Sequence, residues 1–203
     1  MQTEAGRPRT KSGYTLSRIQ VWTALGLAFC FLSRALYCSE LPERPTEAQV
    51  KAAYLYNFGK FVRWQTPTET DSFDICILGK DPFGPALTNT VANERFAGKK
   101  IVVRDLPSTA EASRCRILFI STSEETRLKF VLPLVKRANS LTVSDIPGFA
   151  EHGGMIGLVN VGGKIRFEVN LTAVNEAGLT VSSELLKVAI RVIGMDQAKE
   201  TGR

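Results

Sequence analysis

The chain has 203 residues, with 26 Lys and Arg against 20 Asp and Glu, for a formal net charge of +6. Five of the basic side chains (Arg7, Arg9, Lys11, Arg18, Arg34) and one acid (Glu4) fall in the first 39 residues, so the remainder keeps 21 bases and 19 acids, a net of +2. So small an excess gives no support to nucleic acid or an anionic membrane as a partner.

The basic N-terminus leads into an apolar run from Ile19 to Leu32. About 14 residues is short of the roughly 20 that a spanning helix needs, so a secretory signal is favoured over a permanent anchor. Tyr37 before Cys38 argues against a lipid-modified cysteine, and the expected division is a signal peptide over residues 1–39 followed by a single domain over residues 40–203. That domain is long enough to bury one sizeable core. Cys30 and Cys38 belong to the export region, which leaves Cys76 and Cys115. In an oxidising compartment a disulfide between them is the expected state, with a pair of buried thiols as the alternative.

Thr46 and Gln49 have the spacing of a capping box, and Val50, Tyr54, Phe58 and Phe61 recur at helical spacing, so the first helix is predicted from about Thr46 to Trp64. Gly59 inside it marks a bend or a close contact. Strands follow at 73–78, 99–106, 116–121 and 140–145, with helical segments at 82–91, at the turn before Cys115, and after Ser123. Leu128, Val131, Leu132 and Val135 line one face of that last helix, and Pro133 is expected to bend or break it. The β–α alternation, with an unbroken apolar run at Ile117–Ile120, points to a three-layer α/β fold: a mostly parallel sheet flanked by helices. Right-handed crossovers predict the spatial order second–first–third–fourth. Residues 155–161 and 164–171 flank Gly162-Gly163 and read as an antiparallel hairpin that ends the sheet. A final helix is expected over Ser183–Ile193, with Leu185, Val188, Ala189 and Val192 inward.

Ser144, Asp145 and His152, the chain's only histidine, are the residue types of a hydrolase triad within one short stretch. No serine lies in a G-x-S-x-G elbow, and His152 shares a loop with the other two instead of arriving from another element. The structural expectation is that Asp145 bonds its own backbone in the Ile-Pro-Gly turn and that His152 closes the helical turn Gly148–Glu151. One histidine and two cysteines are too few for a zinc site, and no glycine frame matches a phosphate loop. Glu124 and Glu125 fit the opening turn of a helix. No cofactor is expected. The candidate contact residues are basic and aromatic: Arg63 and Trp64 at the end of the first helix, Lys187 and Arg191 four apart on the outer side of the last.

Five stretches in one order, 51–65, 75–84, 115–124, 141–159 and 164–189, resemble the YfiR/HmsC family of exported proteins. The resemblance implies a periplasmic protein without enzymatic activity that binds the periplasmic domain of an inner-membrane diguanylate cyclase, holds it inactive, and lowers cyclic di-GMP and biofilm output. It also implies redox control through disulfides, with Cys76 and Cys115 at the family's common pair; a second pair found in some members has no counterpart here. A homodimer is a further expectation. The competing reading is a periplasmic small-ligand sensor or binding protein, or a hydrolase using the crevice at the strand ends.

Overall fold

The computed structural model describes residues 44–65, 70–136 and 138–194. The expected signal peptide lies outside the described residues. Helix α1 (Glu47–Phe61) starts at the predicted capping box: Gln49 donates its backbone N–H to Thr46 Oγ1, and the Gln49 side chain accepts from the Thr46 N–H. It ends three residues before the prediction. Val62 is extended, and β1 (Val62–Trp64) pairs antiparallel with β9 (Leu179–Val181) in a separate two-stranded sheet. Gly59 is a close contact: a Cβ there would lie 2.6 Å from the Phe96 ring.

The main sheet has eight strands. In chain order these are β2 (Ser72–Leu78), β3 (Arg95–Phe96), β4 (Lys99–Leu106), β5 (Ile117–Ile120), β6 (Leu141–Ser144), β7 (Ile156–Val161), β8 (Lys164–Asn170) and β10 (Arg191–Ile193), arranged spatially as β10-β8-β7-β6-β5-β2-β4-β3. The inner order β4-β2-β5-β6 is the predicted one, parallel throughout. Strands β7 and β8 form the expected antiparallel hairpin, with φ of +58° at Gly162 and +76° at Gly163, the left-handed pair that a tight two-residue turn requires.

The last helix is shorter than predicted. Helix α5 (Ser183–Val188) stops because Ala189 turns extended, and Arg191–Ile193 then pairs parallel with β8 as the outermost strand. Val188 consequently faces solvent at 64% exposure instead of turning inward. Helix α3 (Leu128–Val135) follows a 3-10 turn (Thr122–Arg127) and continues two residues past Pro133. The remaining helices are α2 (Pro85–Val91) and α4 (Leu171–Glu176).

Strand alternation sorts the core into two layers. Phe73, Ile75, Ile77, Ile117 and Phe119 face one side and pack with Leu55 and Phe58 of α1 and Leu87 of α2. Cys76, Leu78, Leu118 and Ile120 face the other and pack with Leu128, Val131 and Val135 of α3. In that second layer Cys76 and Cys115 form the predicted disulfide, joining β2 to a residue two positions before β5 across 39 positions.

Candidate functional site

The segment from Ser144 to Met155 leaves the C-terminal end of β6, where parallel sheets usually place their ligands. Its three triad-type residues are each committed elsewhere. The buried Ser144 hydroxyl donates to Ile120 O at 2.6 Å and accepts the Ile146 N–H at 3.0 Å. His152 closes its helical turn as expected: its N–H donates to Gly148 O at 3.0 Å, and its ring Nδ1 lies 2.8 Å from the same oxygen. No relay runs among the three.

Asp145 departs from its expected role, because Ser144 already holds the turn. Its Oδ2 accepts from Lys51 Nζ at 2.5 Å, which ties α1 to the end of β6. Glu47 lies 2.5 Å from the same ammonium, one helical turn back. Burial pulls the Lys51 pKa down, but the hydrogen bonds and charges of Asp145 and Glu47 outweigh it and leave the group above its ordinary value. Asp145 Oδ1 is buried without a partner among the described residues. Lys51 carries no motif signal; only its place one turn after Glu47 could have suggested a pair.

Two of the predicted contact residues are placed otherwise than expected. Trp64 is half-buried: its ring meets Phe73 edge-on with centroids 5.4 Å apart, and the Arg116 guanidinium lies 5.7 Å from its centre. Burial among these groups holds the Arg116 pKa below its ordinary value. The exposed tryptophan anchor is thus corrected, since β1 turns Trp64 onto the sheet where a continued helix would have displayed it. Arg191 is corrected as well. It lies on β10, not four residues along a helix from Lys187, and pairs with Glu151 at 2.6 Å and Glu168 at 3.0 Å, clamping the His152 loop to the sheet edge. Arg63 and Lys187 are exposed.

Sequence reasoning missed the outer face of α3. Phe130 and Leu134, four residues apart, are 63% and 65% exposed, with Pro133 beside them. The signal was present, because residues 128, 130–132, 134 and 135 are apolar on both sides of one helix, more than a solvated helix carries. Between α3 and the β6–β7 connection runs a groove of two lobes, ≈420 and ≈390 Å³, which share Lys129, Leu132 and His152. Among the described residues no three His, Cys, Asp or Glu gather as metal ligands, and no helix is long and apolar enough to cross a membrane.

A family model described as YfiR/HmsC-like matches residues 48–190, from the first turn of α1 to the start of β10. The chain belongs to the YfiR/HmsC-like family. The family is a regulatory one, and in this chain Ser144, Asp145 and His152 are each engaged in structural contacts. A comparison with curated proteins finds no match.

Among solved structures, two are similar to this chain, the first of them in fold. One, titled a conserved domain protein from Vibrio cholerae O1 biovar El Tor, is 11% identical at a TM-score of 0.51, over 72% of this chain and 60% of that one. The other, titled an ABC domain in complex with L-Trp from Streptococcus pneumonia, is 16% identical at a TM-score of 0.47, with the same coverages. The YfiR/HmsC-like chain therefore spans 60% of the length of either structure.

Proposed function

We propose that this protein is a periplasmic regulator that binds the periplasmic part of an inner-membrane diguanylate cyclase and restrains it without chemistry of its own, lowering cyclic di-GMP and biofilm formation. The observation that carries the reading is the family match over residues 48–190, which takes in nearly every described element. The Cys76–Cys115 disulfide supports an oxidising compartment. A restraining protein must bind the inactive state of its target more tightly than the active state, because equal affinity shifts nothing. Affinity comes from covering exposed apolar side chains, of which Phe130 and Leu134 are the most prominent pair, and Arg63 and Lys187 supply exposed cations for an acidic partner.

The test is genetic, with a structural control. Deleting the gene should raise cyclic di-GMP and surface attachment in cells that express the cyclase, and an exported copy should reverse both. A Phe130→Glu, Leu134→Glu double variant, folded normally, should fail to restore repression. Unchanged cyclic di-GMP on deletion would overturn the reading; full repression by the double variant would remove α3 from it.

A further inference from the structure

The groove beneath α3 has no part in the regulator reading. Its larger lobe, ≈420 Å³, falls within the about 300–1,000 Å³ of small-molecule sites. Leu132, Pro133, Val135, Met155 and Ala173 give it an apolar wall. Its polar groups are two lysines, the Thr142 hydroxyl and the His152 ring. Lys129 makes no ion pair among the described residues, its ammonium lying 5.0 Å from the centre of the neighbouring Phe130 ring. Lys136 reaches Glu176 at 2.7 Å. The buried Thr142 hydroxyl accepts the Met155 N–H at 3.2 Å, and its own proton has no acceptor among the described residues.

The chemistry of His152 is decided by its hydrogen bond. A carbonyl oxygen can only accept, so Nδ1, 2.8 Å from Gly148 O, carries a hydrogen. Nε2 is then an acceptor in the neutral ring and a donor in the imidazolium. The charged groups around the ring are Lys129 and Lys136 from α3, Glu125 from the 3-10 turn, Glu151 on its own loop with its partner Arg191, and Glu176 from α4. With Glu168, the second partner of Arg191, three are positive and four negative, so a proton on His152 balances the site. A wall of donors around an apolar floor suits a ligand that ends in an acceptor-only group. Glu125, in the smaller lobe, disfavours one carrying two negative charges.

We propose that this groove binds a small carboxylate with an apolar body, the carboxylate at Lys129 and the Nε2–H of protonated His152, the hydrocarbon against Leu132, Val135 and Met155. The site stands whether or not the cyclase is the partner.

Octanoate is the probe, titrated by calorimetry into the purified full-length oxidised protein, with the groove followed through the Met155 methyl and His152 ring resonances. Two buffers, one mildly acidic and one mildly alkaline, keep the carboxylate ionised in both. Binding should be roughly tenfold tighter in the acidic buffer, the equivalent of one charge-assisted hydrogen bond. The neutral isostere octanamide should bind at least about tenfold more weakly there. His152→Asn, whose amide nitrogen can still donate to Gly148 O, should abolish the pH dependence with the loop intact. Lys129→Gln should weaken octanoate severalfold at both pH values, and Leu132→Trp should fill the groove and eliminate binding. Octanamide binding as tightly as octanoate, resonance changes outside the groove, or no binding at millimolar octanoate would each overturn the proposal. The exposed-residue variant Lys129→Gln and the octanamide control keep it decidable if Leu132→Trp does not fold.

Discussion

Replacing Lys51 with Met removes the cation that ties α1 to the end of β6. The Lys51 and Asp145 side chains are 11% and 12% exposed and that of Glu47 is 57% exposed, with both carboxylates 2.5 Å from the ammonium. Methionine keeps most of the stem volume but leaves Asp145 with neither oxygen paired, because Oδ1 already lacks a partner among the described residues. Stranding one member of a buried pair costs about 3–5 kcal/mol. The slight exposure of Asp145 lets water reach it, so the low end, about 3 kcal/mol, is expected. The converse change, Asp145→Asn, leaves Lys51 its bond to the solvated Glu47 and should cost only about 1 kcal/mol. The double variant carries no stranded carboxylate and should be more stable than the sum of the single losses by about 1–2 kcal/mol, a coupling of the size seen for residues in direct contact. Urea unfolding of the oxidised protein at neutral pH measures all three, provided the slope with denaturant is unchanged. For a chain of this size, 3 kcal/mol corresponds to a fall in Tm of roughly 6–12 °C. Asp145→Asn costing more than Lys51→Met, or strict additivity in the double variant, would refute the account.

Three other outcomes follow from the same structure. Cys76→Ser with Cys115→Ser opens a loop of 39 positions and should lower stability by about 4 kcal/mol on the chain-entropy account, read as a shift in urea midpoint; mass mapping of unreduced peptides should find the bridge in the parent protein. Gly154→Ala should destabilise by about 1–3 kcal/mol by overpacking, since the new Cβ would fall 2.1 Å from the fully buried Phe149 ring, and Phe149→Leu should recover part of that loss in the calorimetric Tm. The raised pKa of Lys51 means that its contribution is complete below the ordinary lysine value of about 10.4 and is lost as pH rises through the higher folded value. The difference in stability between wild type and Lys51→Met should therefore shrink in strongly alkaline buffer, and a constant difference there would contradict the shift.

The sequence by itself determined the capping box of α1, the order of the four inner strands, the glycine turn of the hairpin and the pairing of Cys76 with Cys115. The first three follow from a local signal, whether a cap spacing, an apolar period or a residue type suited to a left-handed turn, or from the handedness of a crossover; the pairing follows from the expected export, which leaves two cysteines in an oxidising compartment. It also showed that Ser144 and His152 sit in turn chemistry, although the turn bond expected of Asp145 is made by Ser144. Only the tertiary structure decided that Asp145 reaches Lys51, 94 positions away, because that partner exists only once α1 lies across the sheet. Likewise Trp64 and Arg191 read as helical and exposed in isolation, but ladder hydrogen bonds to β9 and β8 outweigh local helix preference at both places. A strand edge a hundred or more residues distant along the chain cannot be seen from Trp64, nor can the carboxylates of Glu151 and Glu168 from Arg191, since neither contact leaves a periodic trace in the sequence. The α3 groove belongs to the same class: its walls come from two helices, one strand and two connections, and only their packing sets Lys129 beside His152.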